Sequence, residues 1–337
     1  MLDIYFRIVA RDMTSQREQT ALLARIATAL ESLAGVAPPS PSLPAACLSF
    51  IWQTKPYALQ PVDTPATIPL SLLCGVDSQA DTLLANSQQF AKGLSANHAL
   101  LWGARGVGKS SLIKSVWAEI HQRAQNDSEK LTLVEIYRQD IASLPRLLAE
   151  LTPHADRHFI IFCDDLTFDT SGDSGGGGAG GGSEGGNYKS LKTVLEGGLL
   201  ATPRHILFYA TSNRRHLMGR TMQDGQDGRG GSDGQDQSTI SGRETIDERV
   251  SLSDRFGLWL GFYAIDQVTY LKIIEKYARA IGLVRNVDEL ETLQESAKKW
   301  ARSRGDMSGR VAWQFIMDAA GKAGVALKFN EKYLRQI

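Results

Sequence analysis

The chain has 337 residues, 42% of them hydrophobic and 22% charged, with 37 acidic and 37 basic side chains and a formal net charge of zero. This composition suits two or three folded domains and excludes a disordered chain, and the balanced charge supports neither nucleic acid nor an anionic membrane as a partner. Cys47, Cys74 and Cys163 show no C-x-x-C spacing, which argues against a disulfide framework or zinc site, and no stretch approaches the ~20 apolar residues of a membrane span, so a soluble, cytoplasmic protein is expected.

Taken in chain order, Thr14 to Leu33 carries Ala21, Leu22, Ile26, Leu30 and Leu33 at helical spacing and predicts a helix. The proline-rich segment Ala37 to Pro44 ends it, because proline removes an amide donor and disfavours helix before it. A second helix is predicted from Ser78 to Gly93, so residues 1–94 read as a largely helical region. From His98 onward, apolar β-type runs (98–102, 131–137, 159–163, 205–211 and 258–263) alternate with amphipathic stretches. That alternation predicts a mostly parallel sheet covered by helices over 95–264, with a ligand at the carboxyl ends of its strands. Two low-complexity insertions, 171–187 and 222–242, are too poor in apolar residues to fold by themselves. They read as surface loops, with a lid or partner-binding role as the alternative. After Asp266 only helical periodicity remains, in Gln267 to Ile281, Val287 to Arg302 and Ser308 to Ala320, so 265–337 reads as a small helical domain.

Between the first apolar run and the helix that follows it stands Gly103-Ala104-Arg105-Gly106-Val107-Gly108-Lys109-Ser110, a complete G-x-x-x-x-G-K-S loop in strand, loop, helix context. Its glycines let backbone amides at a helix start wrap a triphosphate closely. Lys109 is placed to reach the β- and γ-phosphates and Ser110 to complete a Mg²⁺ shell, and the nucleotide-binding set runs from Gly103 through Ser111. Such a site also needs acidic partners. The apolar run Phe159 to Cys163 ends in Asp164-Asp165, a Walker B-like element in which Asp164 would hold Mg²⁺ through its water shell and Asp165 would orient or polarise the attacking water. His154 and His158 are four apart, but Pro153 precedes them and no third ligand is near, so a metal site there is not expected.

These two motifs, followed by Ala210-Thr211-Ser212-Asn213-Arg214-Arg215 after another strand, resemble an AAA+ ATPase of the P-loop NTPase class. With Leu195-Glu196-Gly197-Gly198 and Leu252 to Leu258, they are similar to a narrower bacterial AAA+ family catalogued as a domain of unknown function, from about Leu73 to Phe315. The resemblance implies an α/β AAA+-type parallel sheet with helices on both faces, a helical lid after it, and ATP with Mg²⁺ as ligands. It also implies that Asn213 is the sensor 1 residue holding the attacking water or the γ-phosphate, a turn asparagine being the other reading. Arg255 would reach the nucleotide of a neighbouring subunit, where its permanent charge suits phosphate oxygens, unless it forms a surface ion pair with Asp254 or Asp247; Arg249 is a second candidate. Arg310 matches the lid's sensor 2 arginine, with Arg302 and Arg304 nearby and a solvated basic face as the alternative. Gly75-Val76-Asp77 resembles the element lining the adenine, although a helix N-cap by Asp77 explains it equally. Many AAA+ hydrolases carry Glu where this chain has Asp165, which implies slow turnover.

The resemblance implies a homo-oligomer, a ring or an open helical assembly, in which ATP hydrolysis drives a conformational change on an unknown protein partner. The stretch Ile141 to Leu148 contains no aromatic residue for a substrate-gripping pore loop. A nucleic-acid-associated loader remains open through the cluster Arg214, Arg215 and Arg220, as does a nucleotide-dependent switch with little turnover.

Overall fold

The apolar runs after residue 98 become strands, and the inner ones at 131–136, 158–163 and 206–212 are buried on both faces, as parallel strands require. The computed structural model describes residues 47–124, 131–166, 203–213 and 255–329, together with 22, 43, 44, 191 and 195. Everything below concerns the compact unit Ala46–Ile337. Seven strands, β1 (Ser49–Thr54), β2 (Tyr57–Pro61), β3 (Ala99–Gly103), β4 (Leu131–Ile136), β5 (His158–Cys163), β6 (Ile206–Ser212) and β7 (Leu258–Phe262), form one sheet in the order β2-β1-β4-β5-β6-β3-β7. Every neighbouring pair is parallel except the β1–β2 hairpin. Within the stretch 1–94, expected to be largely helical, residues 49–61 instead form a hairpin, with Ser49, Phe50 and Ile51 pairing with β4 and β2 carrying the sheet outward.

Side chains alternate across the strands. Leu131, Leu133, Ile160, Phe162, Leu207 and Tyr209 share one apolar core with α1 (Asp77–Ala91) and α2 (Lys109–Arg123). The opposite face carries α3 (Leu144–Leu151), whose four leucines are buried; Trp52 Nε1, on that side of β1, donates to Ser143 Oγ at 2.8 Å just before this helix. A polar node ties α1 to the sheet. Ser87 Oγ donates to Leu83 O, so the Tyr209 hydroxyl donates to Ser87 Oγ at 2.8 Å while accepting from Asn86 Nδ2 at 2.9 Å. Burial pushes that hydroxyl up to about 12, so it remains a neutral donor.

The three C-terminal helices form a core of their own. Helix α4 (Gln267–Ala280) is capped by Asp266, α5 (Val287–Arg304) by Asn286 and α6 (Gly309–Ala323) by Ser308, each side chain accepting from an amide three residues on. Gly305 and Gly324 end α5 and α6 at φ 66° and 67°, the left-handed conformation of a helix C-terminus. Their apolar faces pack together, and Leu72 and Cys74 join them from the segment before α1. The whole is of the α/β class expected from the sequence, a mainly parallel sheet with helices on both faces followed by a small helical unit. Among the described residues no helix is long and apolar enough to cross a membrane.

Strand order is what assembles the site. The strand before the phosphate loop, β3, lies between β6 and β7, and β5 lies beside β6. The residues leaving β5 and β6, Asp164-Asp165 and Asn213, are thereby carried to the loop that leaves β3.

Candidate functional site

The loop begins at a forced glycine. Gly103 has φ 130°, and a Cβ there would fall 1.8 Å from the Phe262 carbonyl oxygen of β7. The chain then turns through Gly106 at φ 73° and Gly108 at φ 99° into α2, whose first amides have no partner within the helix. The loop borders a cavity of about 610 Å³. Its polar lining comes from Arg105 to Ser111, Asp164, Asp165, Asn213 and Arg310, and its apolar lining includes Ile68, Leu73, Val76, Tyr277 and Trp313.

Lys109 is 6% exposed. Its Nζ donates to Gly103 O at 3.0 Å, Ala104 O at 2.6 Å and Asn213 Oδ1 at 3.1 Å. Burial draws its pKa below the usual lysine range, and the negative charge of Asp164 and Asp165 opposes that shift. Asp164 Oδ1 accepts two hydroxyl bonds, from Ser110 Oγ and Thr211 Oγ1, both at 2.5 Å. Asp165 stands at φ 51°, the one non-glycine positive φ among the described residues. Its Oδ1 accepts from Asn213 Nδ2 at 2.5 Å. One orientation of the Asn213 amide satisfies both contacts, with the oxygen toward Lys109 and the nitrogen toward Asp165.

The C-terminal helical unit touches the loop directly. The amide of Arg310 donates to Gly106 O at 3.1 Å. A Cβ on Gly106 would lie 2.9 Å from Ser308 Oγ, and one on Gly309 would lie 3.0 Å from Gly106 O. Of Arg302, Arg304 and Arg310, the last lines the cavity, while the Arg304 guanidinium sits 4.3 Å from the Trp300 ring centroid.

Lys109, Ser110, Ser111, Asp164, Asp165, Asn213 and Arg310 thus meet in one place with Arg105, Gly106, Val107 and Gly108, while Gly103 and Ala104 turn carbonyls to Lys109. Arg255 does not join them: it occupies the turn before β7, at the end of the sheet opposite the loop. Val76 lines the cavity, while Asp77 is the first residue of α1 and Val76 its cap position, with no side-chain capping bond. Arg214, Arg215, Arg220, Arg249 and both low-complexity insertions lie outside the described residues. Sequence reasoning missed Thr211, Tyr277 and Trp313. The two aromatics sit at core-type spacing on predicted helices, and nothing local to them signals a cavity.

No curated protein matches the chain. Among solved structures it is similar to the Aeropyrum pernix Orc1 protein in complex with DNA, at 13% identity and a TM-score of 0.45, over 82% of this chain and 66% of that one. It is also similar to a chain of the E. coli MS115-1 HORMA:CdnC:Trip13 complex, at 12% identity and 0.43, over 74% and 90%. A point mutant of Thermotoga maritima RuvB is similar at 15% and 0.45, over 80% and 71%. A family model described as "Protein of unknown function (DUF815)" matches residues 45–323. That match spans well over half of the sequence, and the chain belongs to this family.

Proposed function

We propose that this protein binds ATP with Mg²⁺ and hydrolyses it to ADP and phosphate. The observation that carries the reading is the convergence, in one cavity, of the Lys109 ammonium, the Ser110–Asp164 pair and the Asn213–Asp165 pair. The Ser110 hydroxyl and Asp164 carboxylate are hard oxygen donors already side by side, a set that fits Mg²⁺. When bound, the ion would neutralise charge developing on the phosphates. Lys109 would exchange its contacts with the loop carbonyls for phosphate oxygens, and Arg310 would reach them from the lid. Tyr277 and Trp313, with ring centroids 5.3 Å apart, give the apolar lining aromatic faces for a base.

In hydrolysis, water would add through its oxygen to the γ-phosphorus. The bond from that phosphorus to the β–γ bridging oxygen breaks, and ADP leaves. Asp165 would orient this water and take its proton on to solvent, while Asn213 holds Asp165 in place. Arg255, supplied by a neighbouring copy, would complete the charge around the γ-phosphate in a homo-oligomer that acts on a macromolecular partner. A nucleotide-dependent switch with little turnover is the second reading, favoured by the aspartate at position 165 and by the network already closed around Lys109.

Phosphate release with Mg-ATP, run beside Lys109→Ala and beside ATP binding, separates the two. The hydrolase reading expects release that falls roughly 100-fold or more in the variant, the scale of losing one preorganised contact to transition-state charge. Wild type that binds ATP yet releases no more phosphate than Lys109→Ala establishes the switch instead.

A further inference from the structure

Thr211 is the next-to-last residue of β6 and 1% exposed. The β5–β6 register sets Cys163 opposite Ala210, so the residues that follow, Asp164 and Thr211, are neighbours. Three bonds then join Thr211 to three consecutive residues. Its hydroxyl donates to Asp164 Oδ1 at 2.5 Å and accepts from the Asp165 amide at 2.9 Å, and its carbonyl accepts from the Leu166 amide at 2.7 Å.

The middle residue of that turn is the strained one. At φ 51° Asp165 occupies the left-handed region, which costs an ordinary L-residue about 1–2 kcal/mol and is visited by aspartate and asparagine because their short polar side chains bond locally. Such a conformation persists where its surroundings over-determine it. Here the amide is bonded to Thr211, and the carboxylate turns back to Asn213. A glutamate, longer by one methylene, is less at home in the left-handed region and would have to place its carboxylate differently to meet Asn213.

We propose that Thr211 is a positioning residue of the site: its hydroxyl fixes the Asp164–Asp165 turn, and the left-handed backbone held there is why aspartate occupies position 165. The inference rests on the ATPase reading for its catalytic consequence, but the turn itself is testable without nucleotide.

Thr211→Val removes the hydroxyl at nearly constant volume, and Thr211→Ser restores it. In nucleotide-free protein, NMR amide exchange at Asp165 should accelerate at least about tenfold in Thr211→Val, as expected for losing a buried hydrogen-bond acceptor. The Leu166 amide, bonded to the Thr211 backbone, should change less than about threefold, and the serine variant should return Asp165 exchange to near wild type. With Mg-ATP, kcat should fall at least about tenfold in Thr211→Val with KM within about threefold, and Thr211→Ser should recover it. Unchanged Asp165 exchange in Thr211→Val overturns the proposal whatever the turnover. Accelerated exchange with kcat intact, or loss that serine fails to repair, overturns it as well, since the hydroxyl would then serve the fold alone. Wild type with no turnover sinks the hydrolase reading separately, and the exchange comparison still decides whether Thr211 sets the turn.

Discussion

Position 165 carries aspartate where the resemblance to AAA+ hydrolases leads one to expect glutamate, and the local backbone accounts for the difference. Asp165→Glu should lower turnover rather than raise it. The longer side chain would have to hold φ 51°, a conformation aspartate tolerates better, and reposition its contact with Asn213. A fall of at least about fivefold in single-turnover phosphate release is expected, on the scale of about 1 kcal/mol of backbone strain; a faster variant would mean that chain length, not backbone geometry, limits this site. Lys109, Ser110 and the two aspartates were legible in the sequence because phosphate chemistry dictates residue types at fixed local spacing. Thr211 was not, because its role arises from the lateral register of β5 and β6, and an Ala-Thr-Ser-Asn string looks the same whether or not a carboxylate stands beside it.

Among elements, the junction of α6 with the phosphate loop joins the helical unit directly to the site, through the Arg310 amide and the Gly106 carbonyl. Gly309 opens α6 and is not held at a positive φ, so alanine there carries no backbone strain and, if anything, favours the helix. Its methyl would still meet the Gly106 carbonyl oxygen at 3.0 Å. Gly309→Ala is therefore expected to weaken ATP binding by about tenfold, the equivalent of about 1.4 kcal/mol of lost docking, while the melting temperature stays level or rises slightly. Titration with a fluorescent ATP analogue beside thermal melting checks this, and unchanged affinity would mean that the lid's position is indifferent to the loop. Helices α1, α2 and α4 to α6, with strands β3 to β7, were readable from periodicity and continuous apolar runs. The β1–β2 hairpin and eight-residue α3 were not, since each acquires its identity from the neighbour it packs against.

At the scale of the molecule, the placement of Arg255 bears on assembly. It precedes β7, an edge strand, while the loop follows the far end of β3, so the length of β7 separates the two, roughly 13 Å at about 3.3 Å per residue. Arg255 does not line its own cavity, so the role proposed for it at a nucleotide is one in a neighbouring copy. Mixing Arg255→Ala with Lys109→Ala tests this, because the second variant keeps Arg255 and the first keeps an intact loop. Each alone should be nearly inactive, and the mixture should recover phosphate release at least about tenfold above either, well within what a trans-acting arginine contributes. No recovery, with both variants assembling normally, would remove Arg255 from the site.

From its sequence alone this chain declares a phosphate-binding loop, a paired-carboxylate strand end, an alternating α/β pattern and a helical C-terminal part, because each is written in residue types and spacings a few positions apart. Only the tertiary structure decides that Asn213 bridges Lys109 and Asp165, that Thr211 pins the acidic turn and that α6 rests on Gly106. It likewise decides that Arg310, rather than Arg302 or Arg304, lines the cavity. Those pairings join residues distant in sequence, and strand order, register and helix docking are set by the burial of the whole core rather than by any local segment.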